Sequence, residues 1–228
     1  MVPAIRLPKI KYCGLTRKVD VEAAIESGAH AIGLNFYEPS PRFVATELAV
    51  ALTEVVAGRA LVIGVFVNAS PHKVAEIVSA CPLDGVQLHG DEQPSWLEES
   101  RQYSSLELIR IIKSVPWRGL SEDGDEVARW AGVRDPRFCG FLVDAYDPVQ
   151  RGGTGKTARW DLLSPKPKPF GDWPFLLAGG ITEGNVEIAI ETARPYGVDV
   201  ASGIELAPGV KDASKMRAIA GKALPLLG

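Results

Sequence analysis

Two residues of this sequence have the side chains that proton-transfer chemistry needs. Cys13 stands where the apolar run KIKYC meets a glycine, and Asp144 ends another apolar run, GFLVD. A thiol whose pKa is lowered can act as a base or nucleophile, and a carboxyl whose pKa is raised by burial can act as an acid or base. Position alone leaves Cys13 open between packing and catalysis, so both residues are candidates.

Further polar residues follow other apolar runs in the same way. Arg42 lies in SPR, Asp199 lies in VDVASG, and His89 follows the run GVQL. At the end of a strand, His89 would either line a site or remain a hydrogen-bonded structural histidine, and the sequence leaves both interpretations open. Loops are polar in most proteins, but the recurrence of this pattern along the chain favours a shared site.

Two glycine-containing turns have the character of a phosphate site. Gly179-Gly180 precedes a predicted helix start, and Ser202-Gly203 follows the last apolar run. Exposed backbone N–H groups at such turns bind phosphate without needing net positive charge. Barrels of parallel strands frequently place a phosphate site after strands 7 and 8.

A glycine-rich stretch, RGGTGKT at residues 151–157, suggests nucleotide binding at first sight. A P-loop needs a glycine five residues before Gly155, and that position holds Gln150. The dinucleotide-binding pattern also fails, because it must open a helix directly after a strand. Two interpretations remain open: a glycine-rich loop with one lysine that closes over a ligand, and a plain flexible loop.

The elements that must position these residues are predicted to be eight strands, each followed by a helical segment. The strand candidates cover 9–15, 31–36, 61–67, 85–90, 106–112, 140–145, 175–180 and 197–203. Several are apolar nearly throughout, as strands covered on both faces are. We therefore predict an α/β protein, a single-domain (β/α)8 TIM barrel over residues 1–228, with an open doubly wound sheet as the alternative.

Helix-capping signals support this alternation. Ser70-Pro71, Thr182 and Asp212 each precede a segment of helical periodicity and are predicted N-caps. The stretch 159–172 carries three prolines, which predicts a short helix and a loop. In a closed barrel the carboxyl ends of all strands meet at one face, and active sites form there.

Composition and charge restrict the classes of function. The chain is 46% apolar and 23% charged, with a net charge of −3, so no broad basic field predicts nucleic acid or an anionic membrane as a partner. No apolar run is long enough to cross a bilayer, and the start shows no signal peptide, so we expect a cytoplasmic protein. Three scattered cysteines predict no disulfide framework, and no metal-binding motif is present.

At these residues the chain resembles the phosphoribosylanthranilate isomerases of tryptophan biosynthesis. The resemblance covers nearly the whole chain and rests on ordered motifs at the predicted strand ends: KYCGLTR, NFYEPSPR, IGVFVNA, VQLHGDE, LVDAYD followed by GGTGKTARWDLL, LLAGGIT with a following NV, and VDVASGIE followed by PGVKD. One departure is Ala201, where the family often has serine.

The resemblance implies an Amadori rearrangement of N-(5′-phosphoribosyl)anthranilate with no metal and no cofactor. It implies Asp144 as the general acid, Cys13 as the general base and Arg42 as the group that holds the anthranilate carboxylate. The other implied contacts are Gly179, Gly180, Ser202 and Gly203 to phosphate, and His89, Gly155 and Asp199 lining the substrate site. Such a pair needs a protonated carboxyl and a partly ionised thiol at one barrel mouth.

Two alternatives to this function remain. One is a related Amadori isomerase of a histidine-pathway ribonucleotide, which would usually show two half-barrel phosphate sites. The other is a non-catalytic barrel that binds sugar phosphates or a partner protein. The expected partner is a small phosphorylated molecule, and the expected assembly is a monomer or a homodimer.

Overall fold

The computed structural model describes residues 7–144 and 159–228, and its central element is a closed barrel of eight parallel strands. β1 pairs with both β2 and β8, which closes the sheet and excludes the open doubly wound alternative. The strands are β1 (Ile10–Cys13), β2 (Ala31–Asn35), β3 (Leu61–Phe66), β4 (Gly85–Leu88), β5 (Arg110–Pro116), β6 (Phe138–Asp144), β7 (Phe175–Ala178) and β8 (Gly197–Val200). The predicted (β/α)8 fold is confirmed.

Helices and short 3₁₀ turns cover the outside of the barrel. The α-helices are α1 (Lys18–Glu26), α2 (Thr46–Val56), α3 (Pro71–Ala80), α4 (Ser95–Glu99), α5 (Leu120–Ala131), α6 (Val186–Ala193) and α7 (Ala213–Leu227). The 3₁₀ turns cover Ser100–Gln102, Ser104–Leu106, Trp160–Leu163, Lys168–Phe170 and Ser202–Ile204. The main apolar core lies between strands and helices, with strand residues such as Leu34 and Val86 fully buried.

The fifth strand begins about four residues further along the chain than the sequence predicted. The expected range was 106–112, whereas β5 covers Arg110–Pro116 and Leu106 belongs to a 3₁₀ turn. Lys113 and Ser114 end the apolar run in the sequence, but both are buried strand residues in the structure. The predicted strand stopped too early because Lys113 and Ser114 are polar in the sequence, although both lie buried within β5.

Two of the three predicted helix caps are confirmed. The Ser70 hydroxyl accepts a hydrogen bond from the Lys73 N–H at 3.2 Å, and the Asp212 carboxylate accepts one from the Ser214 N–H at 2.8 Å. The prediction for Thr182 was wrong, because α6 begins at Val186 with Asn185 at the N-cap position. The proline-rich stretch contains 3₁₀ turns and loop, as expected.

A small hairpin follows β8 and contacts the carboxyl ends of β1 and β8. Its strands are β9 (Glu205–Ala207) and β10 (Val210–Lys211), which pair antiparallel. Within the described ranges, none of the helices is both long enough and apolar enough to span a bilayer. The hairpin is important for the site because it carries the buried Lys211 to the carboxyl ends of β1 and β8.

Candidate active site

A cavity of about 700 Å³ opens at the carboxyl ends of the strands. Every predicted site residue in the described ranges lines it: Cys13, Arg42, His89, Asp144, Gly179, Gly180, Asp199, Ser202 and Gly203. Gly155, the remaining predicted contact, lies outside the described residues. The parallel strands explain this convergence, because residues distant in sequence end their strands at the same face.

Cys13 is the last residue of β1 and is partly exposed to the cavity. It pairs with Gly33 of β2, and a Cβ atom at residue 33 would lie 2.7 Å from the Cys13 Sγ and 3.1 Å from the Cys13 Cα. The first distance is shorter than real Cβ contacts, and the second is tighter than most of them. Gly33 therefore leaves the space that the thiol occupies.

A buried ion pair lies beside the thiol at the floor of the cavity. The Lys11 Nζ donates to the Asp199 Oδ1 at 2.8 Å, and the Lys11 side chain is completely buried. Burial opposes the charge of Lys11, but Asp199 and Cys13 together keep its pKa above the ordinary lysine value. The pair therefore places a permanent cation and an anion next to Cys13.

The Cys13 thiol does not have the lowered pKa that a thiolate base would ideally show. Burial raises the pKa of Cys13 and Asp199 adds to this, while the Lys11 and Lys211 ammonium groups act in the opposite direction. Desolvation is the largest of these effects. At neutral pH the resting side chain is therefore mainly the protonated thiol, and its two lysine neighbours favour the thiolate.

Arg42 forms a two-pronged ion pair with Glu205 of the hairpin. Its Nε and Nη2 donate to the two carboxylate oxygens at 2.8 and 2.7 Å. Lys211 also donates to Glu205 at 2.7 Å, so this carboxylate has two cationic partners. Although burial opposes ionisation, these partners lower the pKa of Glu205 from 4.5 to about 2.

Lys211 connects the hairpin to the carboxyl ends of both β1 and β8. Its Nζ donates to the backbone oxygens of Cys13 at 2.7 Å and Ala201 at 3.0 Å. The contact at Ala201 uses the backbone carbonyl, which every residue type has. The exchange of serine for alanine at this position therefore leaves this interaction unchanged.

His89 lines the cavity and also makes a structural hydrogen bond, so both interpretations of this residue apply. Its Nδ1 lies 2.6 Å from the Nε2 of Gln87, a fully buried β4 residue. Burial and the cations Lys11 and Lys113 lower the pKa of His89 below 6.5, so the ring is neutral at neutral pH. With Gln87 as donor, the ring N–H is at Nε2 and is available to the cavity.

Asp144 ends β6 at the cavity, as the sequence predicted. Its backbone oxygen accepts a hydrogen bond from the Trp117 N–H at 3.0 Å, which fixes the end of the strand. Its carboxylate is close enough to His89 to oppose the lowering of the histidine pKa. The two candidate proton-transfer residues, Cys13 and Asp144, therefore lie on different strands of one cavity.

The predicted phosphate turns meet each other at the cavity wall. Gly179 and Gly180 have φ values of 88° and 66°, a region that side chains rarely adopt, and a Cβ on Gly180 would point into open space. A Cβ on Gly203 would lie 1.8 Å from the Ile181 oxygen, so the second turn packs directly against the first. Glycine is required at both turns for backbone to form this wall.

The sequence analysis missed Lys11, Lys211 and the role of Glu205. A lysine between Ile10 and Tyr12 in an otherwise buried strand was the available signal for Lys11. The hairpin gave no comparable signal, because its pairing with Arg42 joins residues 163 positions apart. No cluster of three or more His, Cys, Asp or Glu side chains in the described ranges is arranged to hold a metal ion.

Comparison with known proteins agrees with the motifs and the barrel. The family model described as N-(5′-phosphoribosyl)anthranilate (PRA) isomerase matches residues 10–222. The N-(5′-phosphoribosyl)anthranilate isomerase of Geobacter sulfurreducens is 39% identical over 209 residues, covering 92% of this chain and 95% of that protein. The enzyme of the same name from Myxococcus xanthus is 42% identical over 210 residues, covering 92% and 93%.

Solved structures show the same relationship. The crystal structure of phosphoribosyl anthranilate isomerase from Thermotoga maritima superposes with a TM-score of 0.82 at 32% identity, covering 96% of this chain and all of that one. A second structure of such an isomerase holds reduced 1-(o-carboxyphenylamino)-1-deoxyribulose 5-phosphate and superposes with a TM-score of 0.79 at 29% identity. The chain therefore belongs to the N-(5′-phosphoribosyl)anthranilate isomerase family.

Proposed function

We propose that this protein is an isomerase of tryptophan biosynthesis, which converts N-(5′-phosphoribosyl)anthranilate to 1-(2-carboxyphenylamino)-1-deoxyribulose 5-phosphate. Family membership supports the activity. The observation that carries the proposal for the site is that Cys13, Asp144, Arg42 and both glycine turns line one cavity. That cavity, at about 700 Å³, is of the size that takes small ligands.

The reaction begins with opening of the ribose ring, and we assign the proton donor as Asp144. A proton passes from its carboxyl to the ring oxygen while the bond from that oxygen to C1′ breaks. The nitrogen lone pair forms the C1′–N double bond of an iminium ion. The position of Asp144 at the end of β6, on the cavity wall, supports this assignment.

The second step removes the proton from C2′, and we assign the base as Cys13. The C–H electrons form the C1′–C2′ double bond and neutralise the iminium, which gives an enolamine. Tautomerisation then gives the ketone at C2′. The assignment needs the thiolate, and since burial raises the pKa of Cys13, the rate of this step depends on the groups that favour ionisation.

The substrate's two anionic groups have candidate partners among the residues that line the cavity. The guanidinium of Arg42 lines the cavity and suits a carboxylate; its Nε and Nη2 donate to Glu205, which leaves its other N–H groups as candidate donors to the anthranilate carboxylate. The turns at Gly179-Gly180 and Ser202-Gly203 present backbone for the phosphate. We further propose that His89, whose ring is neutral, and the Asp199 carboxylate contact the sugar. Gly155, which lies outside the described residues, is proposed as a further substrate contact.

Turnover of freshly generated N-(5′-phosphoribosyl)anthranilate by the purified protein tests this function, with loss of anthranilate fluorescence as the signal. The histidine-pathway ribonucleotide is assayed in parallel. The proposal predicts turnover of the first compound only. Turnover of the second alone would support the related isomerase, and binding without turnover would support a non-catalytic barrel.

We also propose that the protein works in the cytoplasm on small molecules, without nucleic acid, as a monomer or a homodimer. The net charge of −3 supports the exclusion of nucleic acid as a partner. A structure of dimeric phosphoribosylanthranilate isomerase from Thermotoga maritima, converted to monomers, is among the similar folds. Sedimentation of the purified chain distinguishes the two assemblies.

A further inference from the structure

Lys11 has no part in the mechanism described above, yet it is among the most deeply buried charged groups of the described chain. Its side chain is completely inaccessible, and its ion-pair partner, Asp199, is only 8% exposed. Burying an ammonium group is strongly unfavourable unless partners compensate for the lost hydration. A leucine or methionine would fill the same space at lower cost, so the charge needs a reason.

The position of Lys11 relative to the thiol suggests that reason. The Lys11 Nζ and the Cys13 Sγ both lie within about 3 Å of one point, the position of a Cβ on Gly33. Lys11 and Cys13 are two residues apart on β1, so their side chains point to the same face of the strand. With no side chain on Gly33, nothing at that position separates the ammonium from the thiol.

We propose that Lys11 is a positioning residue for the base: its ammonium serves as the counter-cation of the Cys13 thiolate, and Asp199 moderates that effect. The inference rests on the proposed role of Cys13 as the base. When Cys13 gives up its proton, the new negative charge forms next to a cation that the barrel holds in place. A fixed cation of this kind needs no reorganisation when the charge appears.

Other charged groups also face the thiol and must be compared with Lys11. Lys211 of β10 and Arg42 of the loop after β2 both act on it, but each is hydrogen-bonded to the Glu205 carboxylate of β9. Asp199 of β8 acts in the opposite direction to the cations. Among the cations, Lys11 has the largest effect on Cys13, and it lies on the same strand face as the thiol.

The pH dependence of Cys13 alkylation in the free protein tests the inference without any turnover. Iodoacetamide modification of the Cys13 peptide is followed by mass spectrometry across pH. The midpoint of this profile reports ionisation of the thiol, and its high-pH plateau reports access. Lys11→Met and Asp199→Asn are compared with the wild type and with the double variant.

The inference predicts shifts of opposite sign. Lys11→Met moves the midpoint to higher pH, and its rate at pH 7.5 falls about threefold to tenfold, because the higher basicity of the remaining thiolate offsets part of the loss. Asp199→Asn moves the midpoint to lower pH, and the double variant has a higher midpoint than Asp199→Asn alone. Unchanged midpoints, or shifts in the same direction, would overturn the inference.

Lys113→Met is the matched control. Lys113 is another strand lysine whose side chain is completely buried beside a buried carboxylate, Glu92, but its contacts are with Gly90, Glu92, Glu126 and the Trp130 ring. Its replacement should leave the midpoint of Cys13 alkylation unchanged. If Lys11→Met does not fold, Asp199→Asn and the double variant decide the question. The double variant leaves neither member of the buried ion pair without its partner.

This experiment also separates failure of the inference from failure of the proposed function. If the midpoints shift as predicted but Cys13→Ser keeps full activity, Lys11 acts on the thiol and the thiol is not the base. If Cys13→Ser is inactive but the midpoints do not shift, the base assignment stands and the role of Lys11 is wrong. The pH profile of kcat/KM for Lys11→Met must move with the alkylation midpoint if both are right.

Discussion

At the scale of single residues, Gly33 lies opposite Cys13 on the neighbouring strand. Its backbone oxygen accepts hydrogen bonds from the Gly14 N–H at 2.9 Å and the Leu15 N–H at 3.2 Å, so the turn after the thiol is fixed to β2. The missing side chain at residue 33 leaves room for the thiol and the Lys11 ammonium. The position of the Cys13 thiol, the proposed base, therefore depends on Gly33 of β2 having no Cβ atom.

Gly33→Ala tests this dependence. The added methyl group would contact the Cys13 Sγ at 2.7 Å and its Cα at 3.1 Å, so the thiol must move. We expect kcat to fall about tenfold to a hundredfold and the free energy of unfolding to fall by about 1–3 kcal/mol. Kinetics and urea unfolding measure both effects.

Gly221→Ala is the matched control for that variant. Gly221 lies in α7 with nothing within 4 Å of its Cβ position. Helix propensity predicts a gain of about 0.5–1 kcal/mol in the free energy of unfolding, with activity unchanged. A Gly33→Ala enzyme with wild-type kcat would show that the thiol does not need this space or does not act as the base.

The sequence predicts which residues reach the site far better than it predicts their ionisation. The placement of Cys13 and Asp144 follows from where strands end, which is a local pattern of apolar residues. The pKa of Cys13 depends on Asp199 and Lys211, which β8 and β10 bring from the other end of the chain. Such distant neighbours leave no signal in the spacing of residues around Cys13.

At the scale of elements, the hairpin of β9 and β10 holds the charged side of the cavity together. Glu205 accepts hydrogen bonds from Arg42, Lys211 and the Gly209 N–H, and its side chain is only 6% exposed. The carboxylate separates two cations that would otherwise repel each other. The hairpin therefore fixes Arg42 as well as the backbone at the ends of β1 and β8.

Glu205→Gln should lower stability in a way that depends on pH. Because the folded-state pKa is lowered from 4.5 to about 2, the ionised carboxylate stabilises the fold above about pH 4.5 and this contribution is lost as pH falls towards 2. We expect the variant to be about 2 kcal/mol less stable than wild type at pH 7, after allowance for solvent screening. Urea unfolding at a series of pH values measures the difference.

The difference between the two proteins should shrink as pH falls from about 5 towards 2, because wild-type Glu205 then also becomes neutral. Glu22→Gln serves as the control, since Glu22 pairs with Arg59 on the surface, where both side chains are more than 40% exposed. Exposed pairs contribute little to stability. A stability difference for Glu205→Gln that did not change with pH would contradict the electrostatic account of the hairpin.

Most elements were predictable because their signals are local, and the exceptions have physical causes. Seven of the strands overlap their predicted ranges closely, whereas β5 extends through Lys113, whose partner Glu92 follows the neighbouring strand. The N-terminus of α6 was misplaced because Thr182 and Asn185 both have capping side chains. The structure uses the Asn185 oxygen to accept from the Thr182 N–H at 2.7 Å.

At the scale of the whole molecule, the closed barrel joins the first strand to the last elements of the chain. β1 pairs with β8, and the Tyr12 hydroxyl donates to the Met216 carbonyl in α7 at 2.6 Å. Tyr12 is completely buried, and burial raises its pKa to about 12, so it remains a neutral donor at working pH. We expect residues 1–228 to unfold as one cooperative unit.

Tyr12→Phe should weaken this closure without dividing the molecule. It removes a buried hydrogen bond between residues 204 positions apart, which costs about 1–2 kcal/mol. Urea unfolding should show one transition at lower urea with an unchanged m value. Tyr37→Phe, at a residue 39% exposed, should leave the midpoint unchanged; two separate transitions would contradict a single domain.

The most direct test of the account is the activity of Cys13→Ser and Asp144→Asn on N-(5′-phosphoribosyl)anthranilate. Cys81→Ala, which changes a cysteine of the core cluster away from the cavity, is the control. We predict that kcat falls at least about 10²-fold in each of the two site variants, as loss of a general acid or base does, and little in the control. An active Cys13→Ser or Asp144→Asn enzyme would contradict the proposed acid–base pair.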